Sequence, residues 1–412
     1  MRFSFLRAVI KRWQFVLLCT SLALTNYGWA SDAEWSAWLQ QQIQQHPDVI
    51  AARERMNAAL ANADALAAAE FNPELDTEFE REGDADNYRI GFSQRIDLWN
   101  ARGSRKRQAT FERISADQLY QRRYQQKLAD TLLLLIEFDS ATEQAAITLQ
   151  QETQIETLIN LLERRRQAGD VGEADSALSY LSLSQQLNNA TRSQVNLKRV
   201  AALLRAALPE LSLTTAAIPE VLWQVPSLTD IEQLVEKHPL VIAAKAKADA
   251  LQQMTSSVRR SNKSSPTLGL NAGKEGEDDV VGLTLSIPLN IRNNYGAQVK
   301  MAEREALAAE ADYRAERLRQ RALLEATFAE VEQLQQSQLR WQSRVAERIE
   351  TSGDLLKQQW QSGDMSTADY LLALQQRSDS LLAGVELLRD RRRSQIQWML
   401  QSGQLLQILN SI

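Results

Sequence analysis

The sequence predicts a mainly α-helical protein with a small β part, built from one unit used twice. Three observations carry that expectation. Landmarks recur at near-constant spacing: His46-Pro47 and His238-Pro239 lie 192 positions apart, Pro73 and Pro266 lie 193 apart, and Gly169-Asp170 and Gly363-Asp364 lie 194 apart. Two stretches, Ala101 to Ala168 and Ala297 to Gln361, run for 68 and 65 residues without a proline. Between these landmarks the hydrophobic period switches twice from 3.6 to 2. A repeat this long is not a solenoid repeat, which spans about 20–50 residues. The chain is also sparing with glycine (15) and proline (8), which favours long helices over many short strands.

Residues 1–30 read as an export signal. Arg2, Arg7, Lys11 and Arg12 precede an apolar run from Phe15 to Leu24, and Gly28-Trp29-Ala30 supplies small residues for cleavage. The run is too short to span a bilayer. Cleavage removes four cations and no acid, so the net charge falls from −5 to −9, which argues against nucleic acid as a partner. Cys19, the only cysteine, lies in this segment behind Leu18, where a lipoprotein would carry a small residue. The mature chain then has no thiol, hence no disulfide and no thiolate metal site.

The first unit is expected over 31–208. Its opening helix starts at Pro47, where the missing N–H costs nothing, and is stopped before Pro73. A hairpin at about 74–98 follows, with Leu75, Thr77 and Phe79 alternating with Asp76, Glu78 and Glu80. A helical hairpin fills 101–207, bent at Gly169-Asp170. Prolines 209, 219 and 226 mark a connector over 209–230. The second unit, 231–412, repeats the order. Its opening helix starts at Pro239, its hairpin spans about 267–289, and its helical hairpin covers about 297–408, bent at Gly363-Asp364. At about 1.5 Å per residue each long helix reaches roughly 100 Å, and its apolar positions make an amphipathic stripe of coiled-coil type rather than a membrane span.

Four amphipathic strands cannot close a membrane barrel, and open edges do not survive in lipid. Three copies would supply twelve antiparallel strands, an even number within the bacterial range. The alternative on the strands alone is a soluble hairpin resting on a helical core.

The signal segment, the duplicated His-Pro helix starts, the strand entries Asn72-Pro73-Glu74-Leu75 and Ser265-Pro266-Thr267-Leu268, and the Gly-Asp bends resemble the TolC family of outer-membrane efflux proteins. Within it, the short loops look most like the CzcC-type subgroup paired with heavy-metal cation exporters. The resemblance implies a homotrimer in outer-membrane lipid: a twelve-stranded β-barrel continued by a long α-helical coiled-coil barrel into the periplasm. It implies an exit duct for a tripartite pump, working with a periplasmic adaptor (a membrane fusion protein) and an inner-membrane pump of the resistance-nodulation-division type, or else for a type I secretion system. The adaptor-contact tips are then Gly169, Asp170, Val171 and Gly172, with Gly363, Asp364, Met365 and Ser366. The pore constriction falls on Asp369 and its counterpart Asp175, whereas Leu372 stands where some relatives carry a second acid. As acids in a first helical turn, both aspartates also complement the helix dipole.

A periplasmic coiled-coil adaptor is the rival class, although a duplicated unit is foreign to it. No nucleophile elbow, phosphate loop or catalytic constellation is present, so no enzymatic activity and no cofactor is expected. His46 and His238, the two histidines, are expected to cap or to face solvent rather than to hold a metal.

Overall fold

Capping chemistry sets the helix starts. The computed structural model describes residues 32–83, 85–167, 172–211, 218–223 and 230–411; the signal segment and residues 168–171 of the first bend lie outside them. Helix α1 (Asp32–Gln45) buries Trp35, Leu39 and Ile43, spaced four apart, and hands over at His46 to α2 (Pro47–Ala67). The His46 imidazole Nδ1 accepts the Asp48 N–H at 3.2 Å, capping α2. Strands β1 (Glu74–Glu82) and β2 (Ala85–Arg95) form the first hairpin. The Asp97 carboxylate then accepts the Ala101 and Arg102 N–H groups at 2.9 and 2.8 Å and starts α3 (Ala101–Gln167), a single helix of 67 residues. Helix α4 (Glu173–Ala207) returns along it.

Within the connector, a short 3₁₀ turn at Glu220–Trp223 buries Leu222 and Trp223. Asp230 caps α5 (Ile231–Glu236), and His238 caps α6 (Pro239–Ser261) by accepting the Leu240 N–H at 3.3 Å. Strands β3 (Thr267–Glu275) and β4 (Asp278–Ser286) follow, then α7 (Gly296–Trp341), one π turn at Gln342–Ala346, α8 (Glu347–Ser362), α9 (Thr367–Gln401) and α10 (Leu405–Asn410). The order helix, hairpin, long helix, return helix thus occurs twice.

The four strands make one antiparallel sheet in sequence order, with β2 paired to β3. The register sets Leu75, Phe92, Leu270 and Leu283 in one row and Asp76, Gly91, Asn271 and Gly282 in the next. Since successive residues face opposite sides, one face is apolar and the other polar. The apolar row is open, at 71%, 54%, 55% and 88% exposure respectively. Strands β1 and β4 each keep one unpaired edge among the described residues.

Helix α3 is the spine. On it pack α2 and α4 of its own half and α6 and α9 of the other, while α7 lies against α6 and α9. The main core gathers Leu128, Leu132 and Leu135 of α3 with residues such as Leu204, Leu324 and Ile396 from the surrounding helices. The first and last described helices meet where the Ser36 hydroxyl donates to the Leu409 carbonyl at 2.6 Å.

The structure departs from the sequence reading at several points. Helix α1 was not expected. The opening helix stops at Ala67, well before the Pro73 that was expected to end it. The strands end at Arg95 and Ser286, short of 98 and 289. The second long helix is not uniform, because the π turn divides α7 from α8. Beside that turn the Trp341 ring lies on Gly384 of α9, where any Cβ would overlap it. The last helix breaks at Gly403, whose φ of +71° an L side chain adopts only with strain.

Two outcomes follow from this packing. Gly384→Ala overpacks the Trp341 contact and costs about 1–3 kcal/mol in unfolding measurements, and Trp341→Ala in the same chain recovers part of that loss. His238 is fully buried, and burial together with the nearby Arg122 pushes its imidazole down to about 4. The unfolded chain therefore binds the proton first. Stability from the neutral cap is intact above pH 6.5 and falls as pH drops toward 4, by about 3 kcal/mol in all. In a pH series of melting temperatures, His238→Asn, which keeps a capping acceptor, flattens that slope.

Candidate functional site

The second bend is built by three local interactions. Gly363 ends α8 in the left-handed region at φ +84°, and the Asp364 and Met365 N–H groups return to the Gln359 carbonyl at 3.0 and 3.2 Å. Ser366 then caps α9. Its hydroxyl oxygen accepts the Asp369 N–H at 3.1 Å, and the same hydroxyl donates to Asp369 Oδ2 at 2.7 Å. The Ser362 hydroxyl holds Asp364 Oδ2 at 2.6 Å.

Around the bend the rings of Trp360 and Tyr370 stack at 5.1 Å, 8° from parallel, and the Trp360 indole N–H donates to the Thr367 hydroxyl. Burial raises the Tyr370 phenol above its ordinary range. These rings form a second, smaller core with Ile155, Leu158 and Ile159 of α3, and half-buried Met365 packs against it. The far end of α3 is thus bound to the α8–α9 bend. Further along, a groove of about 800 Å³ opens between α3, α8 and α9. Arg164, Lys357 and Arg377 line it against one acid, Asp354. Arg377 lies flat on Gly353 and donates to the Ile349 carbonyl at 3.0 Å.

Of the tip residues read from the sequence, Gly363, Asp364, Met365 and Ser366 form one compact turn with Asp369 exposed beside it. Gly172 is extended at the start of α4, and Asp175 stands in that helix's first turn. Gly169, Asp170 and Val171 lie outside the described residues. Sequence reasoning missed the Trp360–Tyr370 stack, although aromatics three residues before Gly363 and six after Asp364 were a usable signal. It also missed the groove, which joins segments some 200 residues apart. Both histidines cap helices, and among the described residues no group of three or more His, Cys, Asp or Glu side chains is placed to hold a metal ion.

The polar face of the sheet is the other surface of interest. Arg89 pairs with Glu78 at 3.1 Å, and the Ser93 hydroxyl donates to Asp76 at 3.2 Å. Among the described residues no helix is long and apolar enough to cross a membrane. The membrane-compatible surface is the open apolar face of the strands.

Comparison with known proteins agrees with this architecture. The chain superimposes on the CmeC outer membrane channel of Campylobacter jejuni (TM-score 0.73, 14% identity, covering 91% of this chain and 86% of that one). It superimposes equally on the open state of the MtrE outer membrane channel of Neisseria gonorrhoeae (TM-score 0.74, 14% identity, 89% and 88%) and on the outer membrane protein VceC of Vibrio cholerae (TM-score 0.72, 15% identity, 91% and 99%). At these identities the likeness is one of fold. No curated protein matches the chain by sequence at a significant level. The family model described as outer membrane efflux protein matches residues 38–212 and 231–403, one match in each half. The chain belongs to the outer membrane efflux protein family.

Proposed function

We propose that three copies of this chain form the outer-membrane exit duct of a tripartite efflux system, taking substrates from an inner-membrane pump of the resistance-nodulation-division type and its periplasmic adaptor. The observation that carries the reading is the unequal burial of two equivalent helices. Helix α6 lies between α3 and α7 and buries Ala246, Ala250 and Ser257. Their counterparts 192 positions earlier on α2, namely Glu54, Ala58 and Ala65, are exposed. Helix α2 has its own unit's long helix, α3, on one side, as α6 has α7, and the place that α3 takes on α6 is open on α2. A neighbouring copy's α7 fits there, for which Met301, Leu307 and Leu318 stand exposed at 54%, 61% and 68%. The same contact brings the free edge of β1 to the free edge of β4 and closes twelve strands.

In that assembly the apolar sheet face meets lipid and the polar face lines the pore. The bend at Gly363–Ser366 points into the periplasm toward the adaptor, the tip Gly169–Gly172 read from the sequence is assigned the same contact, and Asp369 with Asp175 narrows the mouth. Heavy-metal cations are the proposed cargo. The acids of β1 on the pore face (Glu74, Asp76, Glu78 and Glu80) support that choice by attracting cations.

Two experiments test the reading. Ala58→Arg leaves the single chain's packing intact but abolishes trimers in cross-linking and light scattering; wild-type trimers in that variant contradict the assembly. For the mouth, Asp369→Asn keeps an acceptor for Ser366 and removes the charge. Single-channel recordings are expected to show reduced cation preference and weaker divalent block, and unchanged values remove Asp369 from the constriction.

A further inference from the structure

Charge is not spread evenly along the sheet. At the hairpin turns the side chains are acidic: Glu80, Glu82 and Asp86 around one, Glu275, Asp278 and Asp279 around the other. At three of the four junctions between strands and helices the balance inverts; the fourth, residues 68–74, carries Glu70 and Glu74 and no cation. Residues 95–107 carry five cations against one acid, Asp97, whose carboxylate is taken up by the start of α3. Residues 259–263 carry three cations and no acid, and residues 288–300 carry two and none. In a chain of net charge −5 this is a basic belt. Arg105 and Arg259 are paired with Glu70 and Glu303. Among the described ion pairs, Lys106, Lys263 and Arg292 have no carboxylate, and all three are exposed.

The belt also carries exposed apolar side chains. The alternation of the apolar face runs on past the last strand residues to Leu98, 62% exposed, and to Leu289, 74% exposed, with Ile291 at 86% just beyond. Between the two sets, Lys263 Nζ sits 4.3 Å over the Trp99 ring, whose indole N–H donates to the Ser264 carbonyl at 2.9 Å. Strands of about 9–11 residues, tilted by about 45°, cross the hydrocarbon layer, so with strands of nine residues the belt falls at headgroup level. An indole there, apolar on its body and polar at one edge, suits that boundary.

We propose that this belt binds the anionic phospholipid headgroups of the bilayer leaflet on the helix side, with Lys263 and Arg292 on the phosphates and Leu98, Leu289 and Ile291 in the acyl region. The proposal rests on the channel reading. A second copy of the chain is a poor occupant, since it brings the same cations against one another. Zwitterionic lipid satisfies the apolar side chains but carries a cationic group beside each phosphate, so it offers the belt no net counter-charge. The acidic turn end repels the same headgroups, so recognition is confined to one leaflet.

The test is quenching of tryptophan fluorescence by brominated lipid. The full-length protein is reconstituted into vesicles of neutral phosphatidylcholine doped with brominated phosphatidylglycerol or brominated phosphatidylcholine, and the contribution of Trp99 is isolated by comparison with Trp99→Phe. Phosphatidylglycerol is expected to quench Trp99 preferentially, with an apparent affinity higher by about fivefold per engaged cation. Lys263→Gln with Arg292→Gln brings the two lipids to near parity, whereas Lys274→Gln at the turn end changes nothing. Either single variant is expected to retain part of the preference, a readout that survives if the double variant folds poorly. Equal quenching by both lipids in the inserted wild type overturns the proposal and leaves the channel reading standing. A protein that neither lipid quenches and that stays in the aqueous phase overturns both.

Discussion

An unpaired strand edge cannot lie in hydrocarbon, because each orphaned N–H or C=O there costs several kcal/mol. This chain has two such edges, on β1 and β4, and no described segment covers either. Sequence adjacency links them to the helices. Strand β1 directly follows α2, whose outer side is open, and β4 directly precedes α7, whose apolar residues are open. The chain therefore has two borders, α2 with β1 and β4 with α7, and each joins an unsatisfied strand edge to an unsatisfied helix face. Inside the chain the equivalent junction is already made, by β2 against β3 and by α3 against α6. In the proposed assembly one contact repeated between copies satisfies strands and helices together, which favours a closed ring over any arrangement that pairs only one of them.

The internal junction also explains why one chain carries two units. Helix α3 receives α6 and α9 from the other half along much of its length, so neither half has a complete core alone. The two long helices differ in continuity. The first is unbroken over its described length, while the second accommodates Trp341 by a π turn and by the absence of a side chain at Gly384. Residue 384 is glycine because an indole occupies the space of its Cβ, not because the backbone needs freedom there.

Much of the fold was legible because its signals are local. The His-Pro pairs name helix starts by their own chemistry, and the alternation from Leu75 to Phe79 and from Val281 to Leu285 names strands with one apolar and one polar side. Helix α1 was equally legible in Trp35, Leu39 and Ile43 and was overlooked, its pattern being short and next to the signal segment. The strand ends were overextended because apolar alternation continues to Leu98 and Leu289. Those residues keep the pattern of the apolar face after strand pairing has stopped, so the pattern reported which face is apolar rather than which residues pair. The π turn, the groove by Arg377 and the stack of Trp360 on Tyr370 depend on which helices meet, and no local period encodes that.

The proposed role of Asp369 and its local one need not compete. A carboxylate in the first turn of α9 is favoured by the helix dipole and by the Ser366 hydroxyl, and both would hold it there in any helical hairpin. The hydrogen bond uses one carboxylate oxygen and pins the side chain. A pinned exposed charge acts at one position, whereas a free side chain spreads its charge over several rotamers and loses entropy on meeting a cation. The cap therefore supplies the preorganisation that a selective constriction requires. A tip without Ser366 would keep the charge of Asp369 and lose its placement, so the serine belongs to the proposed mouth as much as the acid does.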